Sequence, residues 1–161
     1  MKLLLAIALA LSSFLAFADG SITLSVGLTP AGSFQAVSKK PKGNLIKRGN
    51  TFTADKISVS IESFKTGIDL RDEHFWKHLN SAKHAKAVLT NIKAQDGKGT
   101  GMLEVNGVKK PVNVSYSVKG EEVVASFSVK ASDFSLPKAT YLGVGVNDSV
   151  QIQATIPFIS K

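Results

Sequence analysis

Cysteine is absent from the 161 residues, and its absence excludes three things at once. No disulfide framework can hold the fold, so an apolar core must. No thiol nucleophile is available for covalent catalysis. No cysteine follows the apolar N-terminal stretch, so attachment through a lipidated N-terminal cysteine is excluded as well. Acids are scarce beside bases, 12 against 20, for a formal charge of +8. Beyond the N-terminal stretch no apolar run approaches the ~20 residues that a membrane-spanning helix needs.

The N-terminal stretch is itself too short to span. Lys2 precedes an apolar run from Leu3 to Leu11, and Ala16-Phe17-Ala18 places small residues at the two positions that signal peptidase reads. Residues 1–18 are therefore expected to be a secretory signal cut before Asp19, leaving residues 19–161 as one domain in the periplasm or outside the cell. Loss of Lys2 takes the net charge from +8 to +7. The remaining excess is spread over Lys39, Lys40, Lys42, Lys47, Arg48, Lys83, Lys86, Lys109 and Lys110, without interleaved aromatics. That pattern does not suit single-stranded nucleic acid. Anionic lipid head groups or acidic surfaces fit the charge better, and a solvated surface accounts for most of these lysines.

The dominant hydrophobic period is two. Ile22, Leu24, Val26 and Leu28 alternate with small or polar residues, as do Ile57, Val59 and Ile61, Val123 to Val129, and Val150 to Phe158. Asn106-Gly107, between Leu103-Val105 and the run through Val112, Val114, Tyr116 and Val118, is a hairpin turn signal. Pro111 suits the first residue of the returning strand, and the Gly-rich segment 97–101 is expected to be a turn, since it lacks the ending of a phosphate loop.

One stretch breaks the alternation. "TGIDLRDEHFWKHLNSAKHA", residues 66–85, carries the only Trp and all three His. Asp72 can cap a short helix near residues 72–80, with Phe75, Trp76 and Leu79 on one apolar face. Many antiparallel strands with a single helical insert favour a closed barrel over a sandwich, because one helix can plug one mouth. His74 and His78 have a helical metal-ligand spacing, with Asp72, Glu73 and His84 near in sequence, but no third ligand is fixed by spacing, and we assign no metal. Catalysis is disfavoured too: there is no Gly-x-Ser-x-Gly elbow, and adjacent Glu121 and Glu122 on a strand would point to opposite faces.

Three segments carry a family resemblance. "TGIDLRDEHF" resembles the Thr-Gly-x-x-x-Arg-Asp-x-His segment of the YceI-like family. "GMLEVNGVKKPVNV" resembles its Gly-x-Leu-x-x-x-Gly-Val-x-Lys-Pro-Val hairpin, and "VGVNDSVQIQATI" its closing strand, with Asn147 replacing a Gly. Phe75-Trp76 after His74, and the lack of a Tyr-Pro in "SAKHAKAVL", depart from the family pattern and bear on ligand identity more than on fold. The resemblance implies an all-β, antiparallel, eight-stranded lipocalin-like barrel holding a long apolar chain, such as a polyisoprenoid or fatty amide, in its lumen. It also implies that Arg71, Asp72 and His74 form a structural polar seam, an ion pair and cap holding the helix at the barrel mouth, with Phe75, Trp76 and Leu79 as a lid.

On that framework Phe64, Val105, Val114, Tyr116, Phe127, Val129, Ile152 and Ile156 are expected to line the lumen. Small residues at Ala125 and Ala154 either leave room for ligand or sit opposite large neighbours in a filled core. Two functions follow. One is a periplasmic carrier or sequestering protein for an amphiphilic lipid (a polyisoprenoid, an isoprenoid quinone or a fatty amide), with no cofactor and no nucleic-acid partner. The other is a filled barrel acting as an interaction or stress-protective module. A homodimer is compatible with both.

Overall fold

The computed structural model describes residues 19–141 and 143–161; the expected signal segment, 1–18, lies outside the described residues. The strands are β1 (Ser21–Thr29), β2 (Ser33–Ser38), β3 (Leu45–Arg48), β4 (Thr51–Ser60), β5 (Lys86–Gln95), β6 (Lys98–Val105), β7 (Val108–Lys119), β8 (Glu122–Lys130), β9 (Thr140–Tyr141) and β10 (Val144–Ser160). Helix α1 (Asp69–His78) lies between β4 and β5, and single 3-10 turns occupy Ile61–Ser63 and Ala131–Phe134.

Strands β4 to β8 form an antiparallel meander. Its β8 edge runs antiparallel to β10, from Lys130 opposite Ser149 to Glu122 opposite Pro157. The other edge of β10 is shared. β1 pairs antiparallel with residues from Gly145 to Thr155, and β3 then pairs parallel with Phe158, Ile159 and Ser160 before pairing with β4. The result is an all-β, lipocalin-like barrel. Its hydrogen-bonded ring is β10-β3-β4-β5-β6-β7-β8, seven strands of mixed direction, with β1 and β2 as additional wall strands. Eight antiparallel strands describe only the α1 end, where the wall runs β2-β1-β10-β8-β7-β6-β5-β4 and β2 meets the β4 side through a single bridge, Val37 to Lys65. The parallel closure has a physical reason: β10 outruns β1, and β3 takes up backbone groups of its last residues that would otherwise lack partners.

Local chemistry fixes the hairpins. Asn106 and Gly107 have φ of 51° and 74°, and Val105 pairs with Val108 across them, the two positive dihedrals a tight primed turn requires. Asp96 and Gly97 do the same between β5 and β6. The turn expected over 97–101 therefore shrinks to its first residue, and Lys98 to Gly101 belong to β6. Gly99 is needed there, since a Cβ would come within 2.9 Å of both Ala94 Cβ and Val114 Cγ2.

The core divides along the barrel. At the β3 end Leu45, Phe52, Ile57, Ile92, Ala94, Val123 and Ile156 pack into one cluster. Phe52 lies edge-on to Tyr116 and Phe158, at 5.6 and 5.1 Å between centroids, and closes that end as a floor. At the α1 end Ala36, Val59 and Phe64 form the seat for the helix, whose Phe75 meets Phe64 edge-to-face.

The helix begins earlier than expected, and Asp72 is not its cap. Ile68 holds the N-cap position without a side-chain hydrogen bond. Asp72 lies one turn inside, only 2% exposed. Its Oδ1 accepts from the backbone N–H and hydroxyl of Thr66 at 2.7 and 2.6 Å, and Lys65 Nζ stands 3.5 Å from Oδ2. Arg71 does not pair with it; its Nη2 donates to the Thr66 carbonyl at 2.8 Å. The Thr-Gly-x-x-x-Arg-Asp pattern thus works by clasping Thr66 from both its carbonyl and its amide. Burial alone would raise the Asp72 carboxyl, but the Thr66 hydroxyl and amide and the Lys65 ammonium outweigh it and hold the pKa below the ordinary 3.8.

Two outcomes follow for Asp72. Asp72→Ala leaves a buried amide without its acceptor and should cost roughly 3 kcal/mol in denaturant unfolding, against the ~1 kcal/mol of a lost cap; a loss no larger than a cap's would refute the clasp. The depressed folded pKa also sets a sign. The carboxylate's contribution is complete above the unfolded value of 3.8 and is lost as pH falls through the lower folded value. The stability gap between wild type and Asp72→Asn should accordingly narrow as acid is added below pH 3.8, and a gap that stays constant would exclude the linkage.

Candidate functional site

Alternation places one face of every wall strand inside the barrel, and these faces do not meet. They enclose a cavity of about 960 Å³, near the top of the ~300–1,000 Å³ range of small-molecule sites. The interior is lined rather than filled. Ala125 and Ala154 contribute to this: they are cross-strand neighbours on the paired strands β8 and β10, both on the cavity wall, and their methyl groups leave space that larger side chains would take. Phe127, Val129 and Ile152 point inward yet remain only half-buried. The outward faces are polar, as in Thr23, Ser25, Ser126, Gln151 and Gln153.

Of the residues expected at the lumen, Phe64, Phe75, Leu79, Val105, Val114, Tyr116, Phe127, Val129, Ile152 and Ile156 all line the cavity. Trp76 does not. One residue from Phe75 is about 100° of helical rotation, which turns the indole outward over the wall. Its Nε1 donates to the Phe64 carbonyl at 3.0 Å, and Lys65 Nζ lies 4.5 Å from the ring centroid. Trp76 therefore pins the lid from outside, by a hydrogen bond and a cation–π contact.

The seam residues separate. Asp72 stays outside the lining, in its clasp with Thr66, whereas Arg71 and His74 border the cavity, as does His78. The Arg71 guanidinium lies 4.8 Å from the Phe34 ring centroid, and its buried Nε has no acceptor in the protein. Burial pushes the His78 imidazole below its ordinary value, so at neutral pH it is largely uncharged. His84 is elsewhere, its ring against Gly107 at the β6–β7 turn. Among the described residues no three His, Asp or Glu side chains gather as a metal site would require.

Several lining residues went unassigned from sequence. Ile22, Leu24, Val26 and Leu28 on β1 carry the same alternation as the assigned strands, and this signal could have placed them. Ile68 and Leu70 lie ahead of the expected helix and had no such signal. They line the cavity and yet are 54% and 60% exposed, so they mark where it opens. Leu136, Lys138, Ala139, Thr140, Val144 and Val146 form the facing rim. The rim is tied together by Asn106, which accepts from Asn80 Nδ2 and donates to the Phe134 carbonyl, both at 3.1 Å.

Solved structures share this architecture. Burkholderia cenocepacia BcnA is 17% identical, with a TM-score of 0.68 over 86% of this chain and 96% of its own. A polyisoprenoid binding domain from Saccharophagus degradans, implicated in plant cell wall breakdown, is 12% identical, with a TM-score of 0.63 over 84% and 91%. A Campylobacter jejuni YCEI protein is 19% identical, with a TM-score of 0.54 over 73% and 82%. At such identities the likeness is one of fold. No curated protein sequence matches the chain. The YceI-like domain model matches residues 13–158, nearly the whole sequence, and with the same barrel found in its structural relatives the chain belongs to the YceI-like family.

Proposed function

We propose that the protein binds a long-chain amphiphilic lipid in its barrel and acts in the periplasm as a carrier or sequestering protein, after removal of residues 1–18. The observation that carries this reading is the cavity itself: apolar along its length, lined at the β3 end by Leu45, Ile92, Ala94, Val123 and Ile156 of the cluster that packs with Phe52, and bordered at the other end by α1. Each methylene moved from water into such a lumen contributes about 0.8 kcal/mol, so a polyisoprenoid, quinone or fatty amide tail can be held tightly without a polar anchor. The polyisoprenoid binding described for the Saccharophagus degradans relative supports a ligand of this kind. We read the protein as a binding protein rather than an enzyme, since the lining offers bases and hydroxyls but no Asp or Glu. The filled-barrel alternative is disfavoured by the cavity itself, by the adjacent alanines on its wall and by the half-buried inward side chains.

Val129→Trp tests the reading. Val129 lines the cavity from β8, and neighbouring Lys130 is exposed on the outside. An indole at 129 should take the tail's volume, so that the variant melts close to wild type but yields no lipid in native mass spectrometry of periplasmic protein. Lys130→Trp should keep its lipid. If the lumen has no slack, the same substitution overpacks a core and costs ~1–3 kcal/mol. That cost, together with a wild-type protein carrying no apolar mass, would reverse the assignment.

A further inference from the structure

The basic groups of the cavity are unevenly placed, and no acidic side chain faces them from its lining. The charged or basic side chains that line it are Arg71, His74, His78 and Lys138; the chain has 12 carboxylic residues and none of them does. All four bases stand at the open end, three on α1 and Lys138 on the facing rim.

Arg71 is the central one. It bonds the Thr66 carbonyl through Nη2 and lays its guanidinium against Phe34, while its buried Nε donor is unmatched. Its neighbour Asp72 offers no counter-charge, being committed to Thr66 and Lys65. Arg71 belongs to neither the Lys65–Asp72 nor the Lys109–Glu104 ion pair. A guanidinium on an apolar wall, with donors to spare and no anion, is costly until an anion arrives, and it then makes shorter, stronger charge-assisted hydrogen bonds.

We propose that the amphiphile taken by this barrel is acidic, its carboxylate or phosphate head group lying at the mouth against Arg71 and Lys138 and its tail running toward Phe52. The assignment rests on the lipid-binding reading above and narrows it to one class of head group. Arg71 then serves both to clasp Thr66 and to receive the ligand. Its planar fork suits either oxyanion in a way an ammonium cannot.

The test uses chain-matched probes on the full chain stripped of co-purifying lipid: oleic acid against oleamide, and farnesyl phosphate against farnesol, each titrated calorimetrically at neutral pH. In at least one pair the acidic member should bind about tenfold tighter, a difference of ~1.4 kcal/mol; the pair with the larger ratio names the head group as carboxylate or phosphate. Arg71→Met should bring that ratio close to one, and Arg71→Lys should retain part of it. A loss of fold would lower both members of a pair, whereas loss of the anion site moves the ratio. Should Arg71→Met fail to melt cooperatively, Lys138→Gln and the wild-type ratios decide. Equal binding within both pairs, or an unaltered ratio in Arg71→Met, overturns the acidic assignment and leaves the carrier reading standing. A folded wild-type protein that binds none of the four probes removes both.

Discussion

The barrel depends on one strand. β10 runs from Val144 to Ser160 and links the two ends of the meander, pairing with β8 directly and reaching β4 through β3. Its inward residues, Val146, Val150, Ile152, Ala154 and Ile156, pass from the mouth to the floor of the cavity. A shift of one residue along this strand would put Gln151, Gln153 and Thr155 inside and their apolar neighbours outside, so its register is held by burial on every pair. Without disulfides the closure rests on this ladder and on the Phe52 cluster.

The lid has a different physical basis. A helix of ten residues is not stable by itself, and α1 carries little apolar surface of its own. What positions it is the clasp on Thr66, the indole bond to Phe64, the Lys65 contact to Trp76 and the packing of Phe75 on Phe64. These contacts converge on residues 64–66, the stretch that joins the wall to the helix. Asp72 and Trp76, which sequence reading put at a cap and in the lumen, both serve that short junction. Their reassignment releases Ile68 and Leu70 to the rim, where they sit exposed.

What could be read from sequence follows from how local the signal is. Alternation placed the strands of the meander, and Asn106-Gly107 placed a hairpin, because each depends on neighbours in the chain. The Arg71-Asp72 motif pointed to the right segment. It did not show that Asp72 reaches back across a loop to Thr66, since a carboxylate at the start of a helix reads the same way when it caps. Trp76 was misplaced because apolar character was counted without helical phase. β3 was invisible: "LIKR" is four residues with no alternation, and its pairing with β10 spans most of the chain. Arg71 and His74 were read as a structural seam, and His78 only as a metal ligand that was not assigned, because polarity alone does not tell a seam from the polar rim of an apolar cavity.

The division between floor and mouth explains how a chain this size can leave its interior unfilled. Inward side chains that touch only a cavity lose dispersion contacts on one side, and their half-burial withholds part of the transfer free energy of a packed core. Ala125 opposite Ala154 accepts that loss in the middle of the wall. The deficit is offset where no ligand needs space: at the floor, where Phe52, Tyr116 and Phe158 interlock and Lys47 lies 5.9 and 5.6 Å from two of the rings, and around the barrel, where hydrogen bonds close the ring. Stability is concentrated at one end and the open, base-lined aperture at the other. Substitutions that enlarge or polarise the mouth therefore act on binding while leaving the elements that hold the barrel closed largely untouched.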